Sequence, residues 1–122
     1  MLFSKGTDAQ HKAANDTEQL AERFLVSQGL TTQLQNFRCK LGEIDLIMLD
    51  NGTLVFVEVR LRKHTQFASA SESINYKKQQ KMVKTAQFYL QQQQLFDKIP
   101  CRFDAVTFDH HMKPEWLKNV IN

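Results

Sequence analysis

Residues 43–62 read Glu43-Ile44-Asp45-Leu46-Ile47-Met48-Leu49-Asp50-Asn51-Gly52-Thr53-Leu54-Val55-Phe56-Val57-Glu58-Val59-Arg60-Leu61-Arg62. The run at 43–49 is apolar apart from its acids and holds two β-branched residues, Ile44 and Ile47, which predicts a strand. Asp50-Asn51-Gly52 is a hairpin turn signal, because Asn and Gly accept the positive φ of a tight turn. Residues 53–62 predict the next strand, and so short a turn makes the pair antiparallel. Two carboxylates interrupt this apolar hairpin. Asp45 sits inside the first strand and Glu58 inside the second, where an acid is costly unless something pairs with it. Arg60 lies two residues after Glu58 and so shares its face, and Arg62 extends the line.

Working outward, residues 32–40 predict a weaker strand before the hairpin. A helix is expected to begin near Asn15 or Asp16, with an apolar stripe of Ala13, Leu20, Ala21, Phe24 and Leu25 and a C-cap at Gly29. Glu18 falls three residues before Ala21 and seven before Leu25, at the edge of that stripe. On the other side, 63–72 reads as a looser polar stretch. A second helix is expected over 73–93, with Met82, Ala86, Tyr89 and Leu90 facing the core. Pro100 precedes a strand at 101–108, and the tail at 112–122 is too short to assign. The order αβββαβ predicts an α/β fold with a mixed central sheet flanked by helices.

The chain has 122 residues, enough for a single domain spanning 1–122, with 1–12 expected as a flexible N-terminal segment. With 42% hydrophobic and 24% charged residues, it is neither a disordered nor a disulfide-scaffold sequence. No apolar stretch is long enough to span a bilayer and no secretory leader is visible, so no membrane partner is expected. Cys39 and Cys101 form no CxxC pair and read as reduced thiols of a cytoplasmic protein. The net charge is +3, but it is unevenly spread. Residues 60–84 carry seven basic residues against one acid, Glu72: Arg60, Arg62, Lys63, Lys77, Lys78, Lys81 and Lys84. A basic block of this kind suggests an anionic partner, nucleic acid before others; a solvated helix face is the plainer account of the same charges.

Two carboxylates brought together on neighbouring strands repel unless a cation lies between them. An all-oxygen site suits a hard divalent ion, Mg²⁺ or Mn²⁺, which takes one or two carboxylates, keeps waters and holds a substrate phosphate. Glu18 is a candidate third oxygen donor. Acids, cation and adjacent basic block together are the parts of a metal-assisted phosphodiester hydrolase. Each part also has a structural reading. Glu58 with Arg60 describes an ion-pair line, Asp45 a satisfied buried acid, and Glu18 a plain helix-edge carboxylate. His110-His111 has no ligand partners at zinc spacing, Trp116 is expected to pack the tail onto the body, and Asp104 to pair with Arg102 or a neighbour.

An acid, a hairpin and then Glu-x-Lys resembles the core of the restriction-endonuclease-like nucleases, the PD-(D/E)xK superfamily. More closely, Glu18 to Leu25, Asn36-Phe37-Arg38, Gly42-Glu43-Ile44-Asp45-Leu46-Ile47, Val55-Phe56-Val57-Glu58-Val59-Arg60, Lys78 with Lys81, and Arg102-Phe103-Asp104 are similar to the ordered motifs of the YraN-like family of small bacterial proteins, from about residue 15 to 108. The resemblance implies a fold like that of archaeal Holliday junction resolvases and an endonuclease acting on DNA, including branched DNA, as a homodimer. It implies Asp45 and Glu58 as metal-binding acids, the Val59 carbonyl in the inner shell and Glu18 beside the metal. It places Lys78 and Gln79 on a helix facing the site, in reach of substrate phosphate. Arg62, Lys63, Lys77, Lys81 and Lys84 are the remaining backbone contacts expected from the basic block. One position departs from the superfamily pattern: the Glu-x-Lys lysine is Arg60. Arginine cannot serve as a general base near neutral pH, though it can stabilise charge on a phosphate. Two other functions stay open: a nucleic-acid-binding protein that has lost hydrolysis, and a protein-interaction module whose basic helix meets an acidic partner.

Overall fold

The hairpin at the centre of the sequence is the centre of the sheet. In the computed structural model, which describes residues 12–62 and 75–121, β2 (Gly42–Asp50) and β3 (Thr53–Leu61) pair antiparallel through Asp50↔Thr53, with Asn51 at φ 52° and Gly52 at φ 86°. Both residues of the turn are left-handed, the conformation that two-residue hairpins select and Gly adopts without strain. β1 (Thr31–Cys39) pairs antiparallel with β2 on the outer side. β4 (Cys101–Phe108) pairs parallel with β3, so a crossover is needed, and α2 (Tyr76–Gln92) lies within it. β5 (Pro114–Leu117) closes the sheet against β4, giving the order β1-β2-β3-β4-β5. The observed order αβββαββ contains the expected αβββαβ core and adds one strand in the unassigned tail.

The helices cover opposite faces. Leu46, Met48, Val55, Val57, Val106 and Phe108 pack with Ala21 and Leu25 of α1 (Lys12–Ser27). Ile47, Leu54 and Phe56 pack with Ala86, Tyr89 and Leu90 of α2. Alternate residues of β3 thus feed two cores, which is why its sequence reads as almost continuously apolar. α1 starts at Lys12, earlier than the expected Asn15 or Asp16, because Lys, Ala and Ala are good helix formers and extend the helix past either capping candidate. It ends where expected: Gly29 N–H donates to the Val26 carbonyl and Leu30 N–H to that of Leu25, closing the C-terminus. Leu20 is 39% exposed and does not join the expected stripe, since Ala21, Phe24 and Leu25 fill the buried face. α2 starts at Tyr76, with the Asn75 side chain accepting the Lys78 N–H at 2.8 Å as its cap. The expected N-terminal segment, apart from Lys12, and the whole of the expected polar stretch at 63–72 lie outside the described residues.

Two irregularities position the functional site. Asn36 of β1 has φ 53°, a left-handed conformation that Asn tolerates better than most side chains. Opposite it, the β2–β3 pairing stops at Leu46↔Val57, so Asp45 and Glu58 are not ladder partners. Ile44 then joins the α2 side of the core, where strict alternation from Leu46 would send it to the α1 side. β2 and β3 therefore part at Asp45, leaving a wedge at the end of the hairpin.

Candidate functional site

The wedge opens into a cleft of about 630 Å³ lined by residues from four elements. Glu18 enters from α1, Glu43 and Asp45 from β2, Glu58 and Val59 from β3, and Lys77, Lys78 and Lys81 from α2. One wall is acidic and the other basic. Residues far apart in the chain, Glu18 and Asp45 and Glu58, are brought to one place by the parting of two strands.

Asp45 substitutes for the interrupted ladder. Its Oδ2 accepts the Val59 N–H at 2.8 Å, so a side chain takes the bond a β2 carbonyl would otherwise take. Burial, then the nearby charge of Glu58, holds Asp45 well above the ordinary carboxylate range, against the lowering effect of that N–H. Glu18 is raised as well, chiefly by burial, with hydrogen bonds to Asp45 and Asn36 opposing it. The two carboxyl groups are neighbours, and burial favours the protonated form of each. Glu18 Oε1 is buried without a hydrogen-bond partner.

Glu58 is only 6% exposed and is met by two cations. Lys78 Nζ lies 2.9 Å from its Oε2, and Arg60 Nη1 lies 3.7 Å from the same oxygen. Lys78 comes from the first turn of α2 and lines the cleft; Arg60 does not line it, and its Nη1 is buried with no hydrogen-bond partner. The basic group nearest the acids is therefore the helix lysine, not the residue in the Glu-x-Lys position.

The other basic candidates divide. Lys77 and Lys81 line the cleft beside Lys78. Gln79 and Lys84 lie on α2 but do not line it. Arg62 turns toward the other end of the sheet, with Nη1 3.2 Å from Glu115 Oε1 on β5. Lys63 lies outside the described residues. Thr17, Gly42, Leu61, Asn75 and Met82 also line the cleft and were not anticipated. Only Asn75 carried a local signal, as a capping residue ahead of an amphipathic run. Gly42 matters for shape: a Cβ there would come within 2.8 Å of Thr85 Oγ1, so the glycine lets α2 sit close to β2.

A hard cation fits these donors. They are all oxygens, one is buried and unpartnered, and two have their protonated forms favoured, first by burial and then by neighbouring carboxylates, Glu58 beside Asp45 and Glu43 beside Glu18. Among the described residues no group of three or more His, Cys, Asp or Glu side chains is positioned to hold a metal ion by itself. Asp45 and Glu58 with water would thus form the shell, with Glu18 beside Asp45. No helix among the described residues is long and apolar enough to cross a membrane.

The remaining expectations concern the far end of the sheet. Asp104 does pair with Arg102, whose Nε lies 3.1 Å from both carboxylate oxygens, and Trp116 docks the tail by donating to Asp104 Oδ2 at 2.9 Å. The His110 and His111 rings lie 4.0 Å apart, tilted by 41°, in the turn before β5.

Sequence comparison agrees with the motifs. The profile described as uncharacterised protein family UPF0102, the YraN family, matches residues 17–108, which run from the cleft residue Thr17 to the end of β4. A UPF0102 protein of Pseudomonas fluorescens is 44% identical over 117 residues, covering 94% of this chain and 98% of that protein. One from Methylobacillus flagellatus is 43% identical over 110 residues, covering 88% and 95%, and one from Neisseria gonorrhoeae is 43% identical, covering 90% and 95%.

Proposed function

The chain belongs to the uncharacterised protein family UPF0102, and from its cleft we propose that it is a metal-dependent endonuclease that hydrolyses DNA phosphodiester bonds, branched DNA included. The observation that carries this reading is the convergence of Asp45, Glu58 and Glu18 opposite Lys77, Lys78 and Lys81 in one cleft. Glu58 is paired with Lys78, but Asp45 has a single N–H donor and acids for neighbours, unlike Asp104 of the same sheet, which Arg102 and Trp116 surround.

In this reading Asp45 and Glu58 would hold Mg²⁺ or Mn²⁺, which would supply a polarised water and offset phosphate charge. Val59 N–H donates to Asp45 Oδ2 and so fixes the carboxylate in the cleft. Glu18 lines the cleft beside Asp45, and its buried Oε1 is left for a water or the ion. Lys78, 45% exposed on its side chain, is within reach of substrate and places positive charge beside Glu58, where charge on the phosphate increases during attack. Arg60 holds Glu58 from the core side.

A second reading draws on one observation. Glu58 already has an ammonium group at 2.9 Å, which is the balance a nucleic-acid-binding protein without hydrolysis would keep.

The two are separated by incubating the protein with labelled duplex, single-stranded, flap and four-way-junction DNA in Mg²⁺ or Mn²⁺, beside Asp45→Asn and Glu58→Gln. The endonuclease reading expects cleavage that EDTA abolishes and that either substitution lowers by roughly a hundred-fold or more. Binding without cleavage under both metals would transfer the protein to the second reading.

A further inference from the structure

We propose that Lys78 and a divalent cation are alternative partners of Glu58: Lys78 leaves the carboxylate for the ion to seat and is thereby freed for a substrate phosphate. The proposal rests on the endonuclease reading for the ion itself and deepens it with a two-position role for one side chain. Its test is metal affinity, not cleavage.

The first observation is that one oxygen carries two cations. Glu58 Oε2 has the Lys78 ammonium at 2.9 Å and the Arg60 guanidinium at 3.7 Å. The Glu58 side chain is only 8% exposed, so little water is present to screen charges gathered on it. A divalent ion added to this carboxylate would face the ammonium across it, and like charges that close exclude one another. Relief requires that one of the two resident cations withdraw.

The second observation says which. Arg60 is the more buried of the two, at 29% against 45% exposure of the side chain, and it does not line the cleft. It pairs across β3 and β4 with Thr107, which is 1% exposed. Lys78 lines the cleft beside Lys77 and Lys81. Its backbone is pinned, because its N–H donates to the Asn75 side chain at 2.8 Å, but the side chain beyond is a flexible four-carbon stem. Lys78 can therefore withdraw without moving α2. Glu58 is not stranded when it does: Arg60 Nη1, buried and without a hydrogen-bond partner, keeps a positive charge on the core side. The ammonium that withdraws stays in the cleft, so seating the ion also supplies a phosphate contact. Ion and phosphate then favour each other's binding, by linkage.

Calorimetric titration of the full chain with Mn²⁺, without DNA, tests this. Lys78→Met keeps the length of the stem and removes the ammonium. It should bind Mn²⁺ roughly ten-fold more tightly than the unsubstituted chain, since no partner has to be displaced. Lys78→Arg should bind it no more tightly than the unsubstituted chain, because a guanidinium grips a carboxylate at least as well. Lys84→Met removes the same charge from α2 outside the cleft and should change the affinity by less than about two-fold. In the unsubstituted chain, the Lys78 ammonium signal in side-chain NMR, assigned by its loss in Lys78→Arg, should shift or vanish as Mg²⁺ saturates the site. Equal or weaker Mn²⁺ binding by Lys78→Met, an equal gain in Lys84→Met, or an ammonium signal unmoved at saturation overturns the proposal and leaves the endonuclease reading intact. Tighter binding by Lys78→Met with no DNA cleaved under Mg²⁺ or Mn²⁺ leaves the proposal standing and removes that reading. No Mn²⁺ binding by either chain overturns both.

Discussion

Asp45 and Asp104 are acids of the same sheet, two strands apart, and they are treated in opposite ways. Asp104 has no exposed surface, and donors surround it: Arg102 Nε at 3.1 Å from both oxygens, Trp116 Nε1 at 2.9 Å and Asn119 N–H at 3.0 Å. Arg102 in turn reaches Asp50 at 2.8 Å, tying β4 to the β2–β3 turn. Asp45 has one N–H donor and two acids for neighbours. A buried carboxylate with a full set of donors is a joint of the fold; one left short of donors and crowded by like charge is held there for something else to complete. Both read alike in sequence, as an acid inside an apolar strand. The difference lies in what the tertiary fold brings to each.

The hardest test of this contrast is to remove both acids in turn. Asp104→Ala leaves Arg102, the Trp116 indole and the Asn119 amide without their common acceptor, and should lower unfolding free energy by about 3–5 kcal/mol in urea titrations. If it costs under about 1 kcal/mol, Asp104 is no joint and the comparison fails. Next in size is the contact that closes the cleft. Gly42→Ala adds a Cβ 2.8 Å from Thr85 Oγ1 at a φ of 153°, and should cost about 1–3 kcal/mol as α2 is pushed off β2. Thr85→Ala in the same chain removes that oxygen and should return part of the loss, leaving the backbone strain.

The sheet was readable because its signals are local: the Asn51-Gly52 turn, the apolar runs on either side, and the helical spacing of Met82, Ala86, Tyr89 and Leu90. The acids of the cleft were readable for a related reason, since Asp45 and Glu58 contradict the strands that hold them. What stayed hidden depends on tertiary geometry. Asn36 gives little sign that it turns left-handed in mid-strand, and without that break the parting of β2 from β3 has no visible cause. The competition between Arg60 and Lys78 for Glu58 is decided by how α2 packs, which Gly42 and Thr85 set from two distant positions. The fifth strand escaped notice because four residues carry too little periodicity, and Trp116 is fixed by a hydrogen bond to Asp104 that no spacing encodes.

A smaller effect bears on Asp45 directly. Asp45→Asn keeps an oxygen for the Val59 N–H and removes the charge that Glu58 opposes. In EDTA it should range from neutral to about 1 kcal/mol more stable than the unsubstituted chain, the reverse of Asp104→Ala, by thermal or urea unfolding. A loss as large as that of Asp104→Ala would make Asp45 a structural acid and erase the contrast.

The smallest effect follows from the same charges by titration. Asp45 and Glu18 are both raised above their ordinary values near 4, chiefly by burial, so the folded state binds more protons than the unfolded chain in the window above those values. Where the folded state binds more protons, stability falls as pH rises. The contribution of this pair is present in full below about pH 4 and is lost as pH climbs through the raised values of the folded state. Lowering pH from neutrality toward that limit in EDTA should therefore raise the melting temperature slightly, until other carboxylates begin to protonate. Asp109, held low by the Lys113 and His111 backbone N–H groups, acts the other way but only below its ordinary value, outside this window. In Asp45→Asn the rise should shrink, because the more strongly raised of the two carboxyls is gone. Saturating Mg²⁺ or Mn²⁺ should reverse the slope in the unsubstituted chain, since a cation that binds only the ionised acids adds stability as they ionise. A slope unmoved by either the substitution or the metal would mean that these carboxylates are already balanced, as Asp104 is.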